Sequence, residues 1–148
     1  MKHIIKWLSC STIFGPVNID ARCRCLPPNH SITPLTKGIS TLSRVTGKEH
    51  KNICRILLGL IISLSLPGGQ ASSCIIKAVQ ALLDFLYLAQ FPSHTTNTLC
   101  CLQDSLKLFH NNKMVFVDLG TRRNFHIPKL HSLLHYESSI QLFGTMDN

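Results

Sequence analysis

Apolar residues fall into four long runs along this chain, and glycine, proline and asparagine separate them. From Thr46 to about Leu66 the polar or small positions are Lys48, Asn52, Arg55, Gly59 and Ser63, three or four residues apart. That spacing draws one narrow polar stripe on a helix that is otherwise buried. Thr46-Gly47-Lys48-Glu49 has the form of a capping box, in which the threonine hydroxyl and the glutamate carboxylate each satisfy the other residue's backbone amide. Residues 73–91 repeat the design, with Lys77, Gln80, Asp84, Tyr87 and Gln90 on one side and Pro92 as the stop. Two such helices joined by "PGGQASS" predict an antiparallel hairpin with wide apolar faces, which needs further partners.

The following segments supply partners. Thr95 or Thr96 can cap a helix in which Leu99, Leu102, Leu106 and Phe109 recur at helical spacing. "HNNK" loosens its end, and "MVFVDLG" fits either a helical turn or a short strand stopped by Gly120. Pro128 opens a final helix with Leu133, Tyr136, Ile140 and Phe143 on one face and Gly144 at its end. Towards the amino terminus, residues 2–9 predict one short helix, and residues 35–45 a moderately helical stretch. Residues 20–34, with Pro27, Pro28 and Pro34, predict a connector. The fold class is thus mainly α: a helical hairpin plus further amphipathic helices. Residues 1–34 form a basic amino-terminal helix and proline-rich connector, and residues 35–148 a helical domain.

Length and composition narrow the picture. The 148 residues suffice for one domain with a respectable core, and 45% hydrophobic against 15% charged residues exclude a disordered tail. Residues 1–55 hold nine Lys/Arg against Asp20 and Glu49, whereas residues 56–148 hold six against five acids. The basic character therefore sits in the first third, suited to a polyanion or an acidic partner. Seven cysteines, an odd number, without a secretory leader in "MKHIIKWLSC", point to free thiols in a reducing compartment. The apolar run Ile56–Leu66 is too short to span a bilayer, which needs about 20 residues. No membrane partner is expected.

Candidate chemistry is sparse. His131 and His135 have the spacing of two zinc ligands on a helix, but Ser132 stands where a metalloprotease carries its general base. Glu137 lies far around the helix from His135, and no third ligand is evident. A metal-dependent hydrolase is therefore disfavoured, and the two histidines are expected to flank a packed face. Cys23, Cys25 and His30 are spaced too tightly for a zinc knuckle. "GKEHK" lacks the rest of a phosphate loop, and Arg122-Arg123 suits either a phosphate or a solvated loop. The expected nucleic-acid-binding residues are Arg22, Arg24, Lys37, Arg44, Lys48, Arg122 and Arg123. No catalytic and no metal-binding residue is assigned.

Several long phrases occur in one order: "IDARCRCLPPNH", "KGISTLSRVTGKEH", "ICRILLGLII", "LPGG", "ALLDFLYLAQFPSHT", "FVDLG", "NFHIPKLHSLLHY" and "SIQLFGTMDN". They resemble Plavaka-type transposases of the CACTA-like transposons of mushroom-forming fungi, over about residues 20–147. The resemblance implies a DNA-cutting parent of the acidic-triad type with a ribonuclease-H-like core. Its carboxylates would hold divalent metal such as magnesium to activate water or a 3′-hydroxyl. Residues 35–148 would correspond to a helical insertion region. The acidic stretches of the family fall outside this sequence, and Asp20, Asp84, Asp118 and Asp147 are too isolated to take a catalytic role. Pro34 and His126 depart from the family wording. The expectation is a truncated, transposon-derived protein, catalytically inactive alone and without its own cofactor. Its partners would be DNA and further copies of itself, associating through exposed apolar helices, and its location nuclear if a transposase-like role is retained. The rival reading is a domesticated helical module that binds nucleic acid or protein.

Overall fold

The computed structural model describes residues 2–10, 15–27, 29–30, 32, 35–42, 45–62 and 73–145. Helix takes up 66% of them and none is in a strand, so the chain is mainly α. The described elements are α1 (Lys2–Leu8), α2 (Pro16–Arg24), α3 (Gly47–Ile61), α4 (Ser73–Leu88), α5 (Thr96–Asn112), α6 (Val115–Asp118), α7 (Pro128–Leu134) and α8 (Tyr136–Phe143).

Local chemistry sets four of the eight described starts. At α3 the Glu49 amide donates to the Thr46 hydroxyl at 3.3 Å, while the Thr46 amide donates to the Glu49 carboxylate at 2.7 Å. The expected capping box is therefore present. At α5 a second reciprocal pair forms between Thr95 and Thr98, with amide-to-hydroxyl distances of 2.8 and 3.3 Å. Pro16 and Pro128 begin α2 and α7, where a missing amide hydrogen costs nothing.

Hydrophobic burial then joins the helices. Ile4 and Leu8 from α1, Ile19 from α2, Ile53 and Leu57 from α3, Val79 and Leu82 from α4, Phe109 and Phe116 share one cluster. A smaller cluster centres on Phe85, Leu102 and Leu106, with Leu133 and Tyr136 packed against it. The Tyr136 hydroxyl donates to the Ala89 carbonyl at 3.1 Å, fixing the start of α8 beside the end of α4. α3 touches α4 as the hairpin expectation has it, but α4 packs far more extensively along α5. The linking "PGG" lies outside the described residues.

Three expectations change and one open alternative is resolved. The connector over 20–34 is helical as far as Arg24, because Pro16 nucleates α2 and Ile19 and Cys23, one turn apart, are both buried. Residues 35–42 form turns instead of a helical stretch. The cause is Asp20, whose carboxylate accepts the amides of Ile39 at 2.8 Å and Ser40 at 2.9 Å and also the Ser40 hydroxyl. "VFVD" resolves as a helical turn. The final helix breaks at His135 into α7 and α8; Ile140 of the expected face is buried, but Phe143 in the last turn of α8 is 85% exposed.

The polar stripe of α4 is as expected, with Lys77, Gln80, Asp84, Tyr87 and Gln90 all exposed. That of α3 holds at Lys48, Arg55 and Gly59 but not at Asn52, which is 3% exposed. Among the described residues, no helix is long and apolar enough to cross a membrane.

Candidate nucleic-acid interface

α1 presents opposite chemistries on its two sides. Ile4, Ile5, Trp7 and Leu8 face the core, while His3 and Lys6, three residues apart, are exposed together. The loop after α6 comes to lie beside them. Gly120 takes φ +68° there, a conformation that favours glycine. The Thr121 hydroxyl (2.6 Å) and the amides of Thr121 (3.0 Å) and Arg122 (3.2 Å) all donate to the Phe116 carbonyl. This triple anchor holds the arginine pair against α1.

A groove of about 990 Å³ results, lined among others by His3, Lys6, Trp7, Ser40, Arg122 and Arg123. None of the described carboxylates lines it. The Arg122 guanidinium lies over two rings, 5.2 Å from the centroid of Trp7 and 5.9 Å from that of Phe125, and its Nε donates to the Asn124 carbonyl at 3.0 Å. Trp7 in turn meets Phe125 edge to face at 5.4 Å. The cation is thus fixed by an aromatic platform rather than by a counter-charge. Loss of water around the His3 ring lowers its pKa below the ordinary histidine value. Neighbouring positive charges, Lys129, Arg122 and Lys6 among them, push it the same way. Such a cluster is a place where an anion relieves repulsion.

The expected binding residues divide. Arg122 and Arg123 are brought together with His3 and Lys6, two residues that sequence reasoning passed over despite their helical spacing in "KHIIKWL". Arg22 is half-buried and donates to the Leu60 carbonyl at 3.3 Å, tying α2 to α3. Arg24 borders a separate, mainly apolar cavity of about 620 Å³ with Cys23, Leu26 and Ile56. Lys37 is exposed on the turn before Gly38, and Lys48 is exposed in the first turn of α3. Arg44 lies outside the described residues.

The carboxylates considered earlier do not converge either. Asp20 is 7% exposed and committed to the 38–40 turn, Asp84 and Asp118 are exposed on α4 and α6, and Asp147 lies outside the described residues. All seven cysteines are free thiols. No group of three or more His, Cys, Asp or Glu suited to a metal ion occurs among the described residues. His131 and His135 are both exposed, so they do not flank a packed face as expected. The chain matches no protein-family model, no curated protein and no solved structure.

Proposed function

We propose that this chain is a non-catalytic helical module of transposase ancestry that binds the phosphate backbone of nucleic acid through the groove between α1 and the Gly120–Asn124 loop. The single observation that carries the binding role is the convergence of Lys6, Arg122 and Arg123 with His3 in one groove that no described carboxylate lines. Phosphate contacts of this kind give affinity without sequence choice, since cations read charge and bidentate base contacts read sequence. Arg122, held over the rings of Trp7 and Phe125, can present its N–H groups to a phosphate with little rotamer entropy left to lose.

The ancestry rests on the ordered phrases over residues 20–147. A helical insertion in a ribonuclease-H-like parent agrees with described residues made of helices and turns. In such a parent the divalent metal and the cutting chemistry would belong to carboxylates elsewhere, and this segment would serve the DNA channel. The ancestry is tested by the genomic sequence around the reading frame, where the family's acidic stretches are the expected neighbours.

The binding role is tested by titrating a fluorescent DNA duplex with the protein over a range of salt. Neutralising about three or four phosphates gives a slope of roughly −3 in log K against log salt. Replacing Lys6, Arg122 and Arg123 together by glutamine should flatten that slope to near zero. Absence of binding at low salt, or an unchanged slope in the triple variant, removes the proposal.

A further inference from the structure

The two histidines at the α7–α8 junction are left unexplained both by packing and by the groove. His135 follows the last residue of α7 and still has helical backbone angles, φ −93° and ψ −1°. The spacing of one helical turn is therefore kept, and the side chains of His131 and His135 project from the same side. Their Nε2 atoms lie 3.3 Å apart, with ring centroids at 5.0 Å and planes at 81°. Both rings are exposed, so a solvated ion can reach the two nitrogens without opening the core.

That separation has a chemical meaning. Two imidazole nitrogens at metal–nitrogen distances of about 2.05 Å and a tetrahedral angle stand ~3.3 Å apart. A right-angled arrangement at the same bond lengths would bring them to ~2.9 Å. We propose that His131 and His135 form a bidentate surface site for a borderline divalent metal ion of tetrahedral habit, zinc, with water completing the coordination. Imidazole nitrogen suits this ion and not magnesium or calcium, which prefer oxygen. The nearest acidic residue in sequence, Glu137, already accepts a hydrogen bond from the Gln141 amide, so the site is a two-ligand one. Without metal the pair is one N–H···N hydrogen bond between the rings; with metal the rings turn so that the lone pair of each Nε2 goes to the ion, and the donating ring takes the tautomer with its proton on Nδ1, so both ligands stay neutral imidazoles and no net proton is released.

The site would clip the last turn of α7 to the residue from which α8 starts, bracing the break in the chain. It is independent of the groove, and its failure would leave the nucleic-acid reading untouched. The test is a calorimetric titration of the full chain with zinc chloride, beside the double variant His131→Gln/His135→Gln. The exposed thiols of Cys25, Cys74, Cys100 and Cys101 also attract metal, so the difference between the two proteins is the measured quantity. The expected result is one additional equivalent bound by the parent chain, with each single variant at least tenfold weaker. Histidine ring resonances of residues 131 and 135 should shift as zinc is added. Equal stoichiometry in parent and double variant, or shifts that spare these two rings, overturns the proposal. Both residues are exposed, so circular dichroism of the variants should match the parent.

Discussion

The guanidinium of Arg122 lies over the indole of Trp7, 5.2 Å from the ring centroid, although 115 positions of sequence separate them. Trp7 is the only tryptophan, so its emission reports on this contact. Arg122→Ala should shift that emission and weaken duplex binding severalfold. Arg122→Lys should keep the long-range charge but not the planar guanidinium over the two rings, and recover binding only in part. Addition of duplex should change Trp7 emission in the parent protein and much less in Arg122→Ala. Identical duplex-induced changes in both proteins would detach Trp7 from the binding event.

His3 makes the groove sensitive to pH, and the sign follows from its surroundings. Its pKa is held below the ordinary histidine value, first by loss of water and then by cations including Lys129, Arg122 and Lys6. A bound phosphate favours the protonated ring, so its pKa rises in the complex. Affinity should therefore increase as pH falls through the bound-state pKa, and level off below the free-state one. The fold responds oppositely: the unfolded chain protonates His3 first, so acid takes away the stability of its neutral form. Comparing duplex affinity of the parent and His3→Gln across this range measures the effect, and parallel pH profiles would assign the dependence to other groups.

The contact of Asp20 with the turn at Gly38 should be among the most sensitive points of the fold. Burial pushes the Asp20 carboxyl up, but the Ser40 hydroxyl and the amides of Ser40 and Ile39 outweigh it, leaving the pKa below the ordinary aspartate value. The stability this carboxylate supplies is present above the unfolded-state pKa and is lost as pH falls through the folded one. Asp20→Ala should cost about 2–3 kcal/mol, the usual loss for hydrogen bonds to a charged acceptor. Gly38→Ala should be at least as harmful. Gly38 has φ +80°, and a Cβ there would lie 2.2 Å from the Asp20 side-chain carbon Cγ. Urea melts of both variants check this, and an Asp20→Ala midpoint equal to the parent's would show that the turn holds itself.

The elements legible in the sequence were those whose signals are local. The Thr46 capping box and the apolar spacing of α4 and α5 depend on residues within a turn or two, and they appear as expected. What long-range contacts decide was less legible. The prolines after Cys25 suggested a connector, yet α2 forms because Ile19 and Cys23 find a core and Asp20 finds a loop 18–20 residues away. The groove was half visible, as Arg122-Arg123, because nothing in the sequence states that this loop is anchored to Phe116 and stacked on Trp7. The spacing of His131 and His135 pairs them, but it does not state that this side of α7 faces solvent and not the core, and no proline or glycine announces the break after Leu134.

Asn52 offers a test of how tightly α3 is optimised. It is 3% exposed, and its Nδ2 has no hydrogen-bond partner among the described residues. Its neighbours on the helix, Ile53, Ile56 and Leu57, all enter the core. A buried amide group without a partner costs about 1–3 kcal/mol of desolvation that no contact returns. Leucine has the same branching as asparagine and a higher helix propensity, and it removes the orphaned donor. Asn52→Leu should therefore raise stability by about 1 kcal/mol after some loss to crowding. For a chain of this size that is a rise of roughly 2–4 °C in Tm. Thermal melts followed at 222 nm (an approximate helix band) measure it. A fall in Tm would show that crowding by leucine outweighs the orphaned donor and that α3 leaves no room at this position.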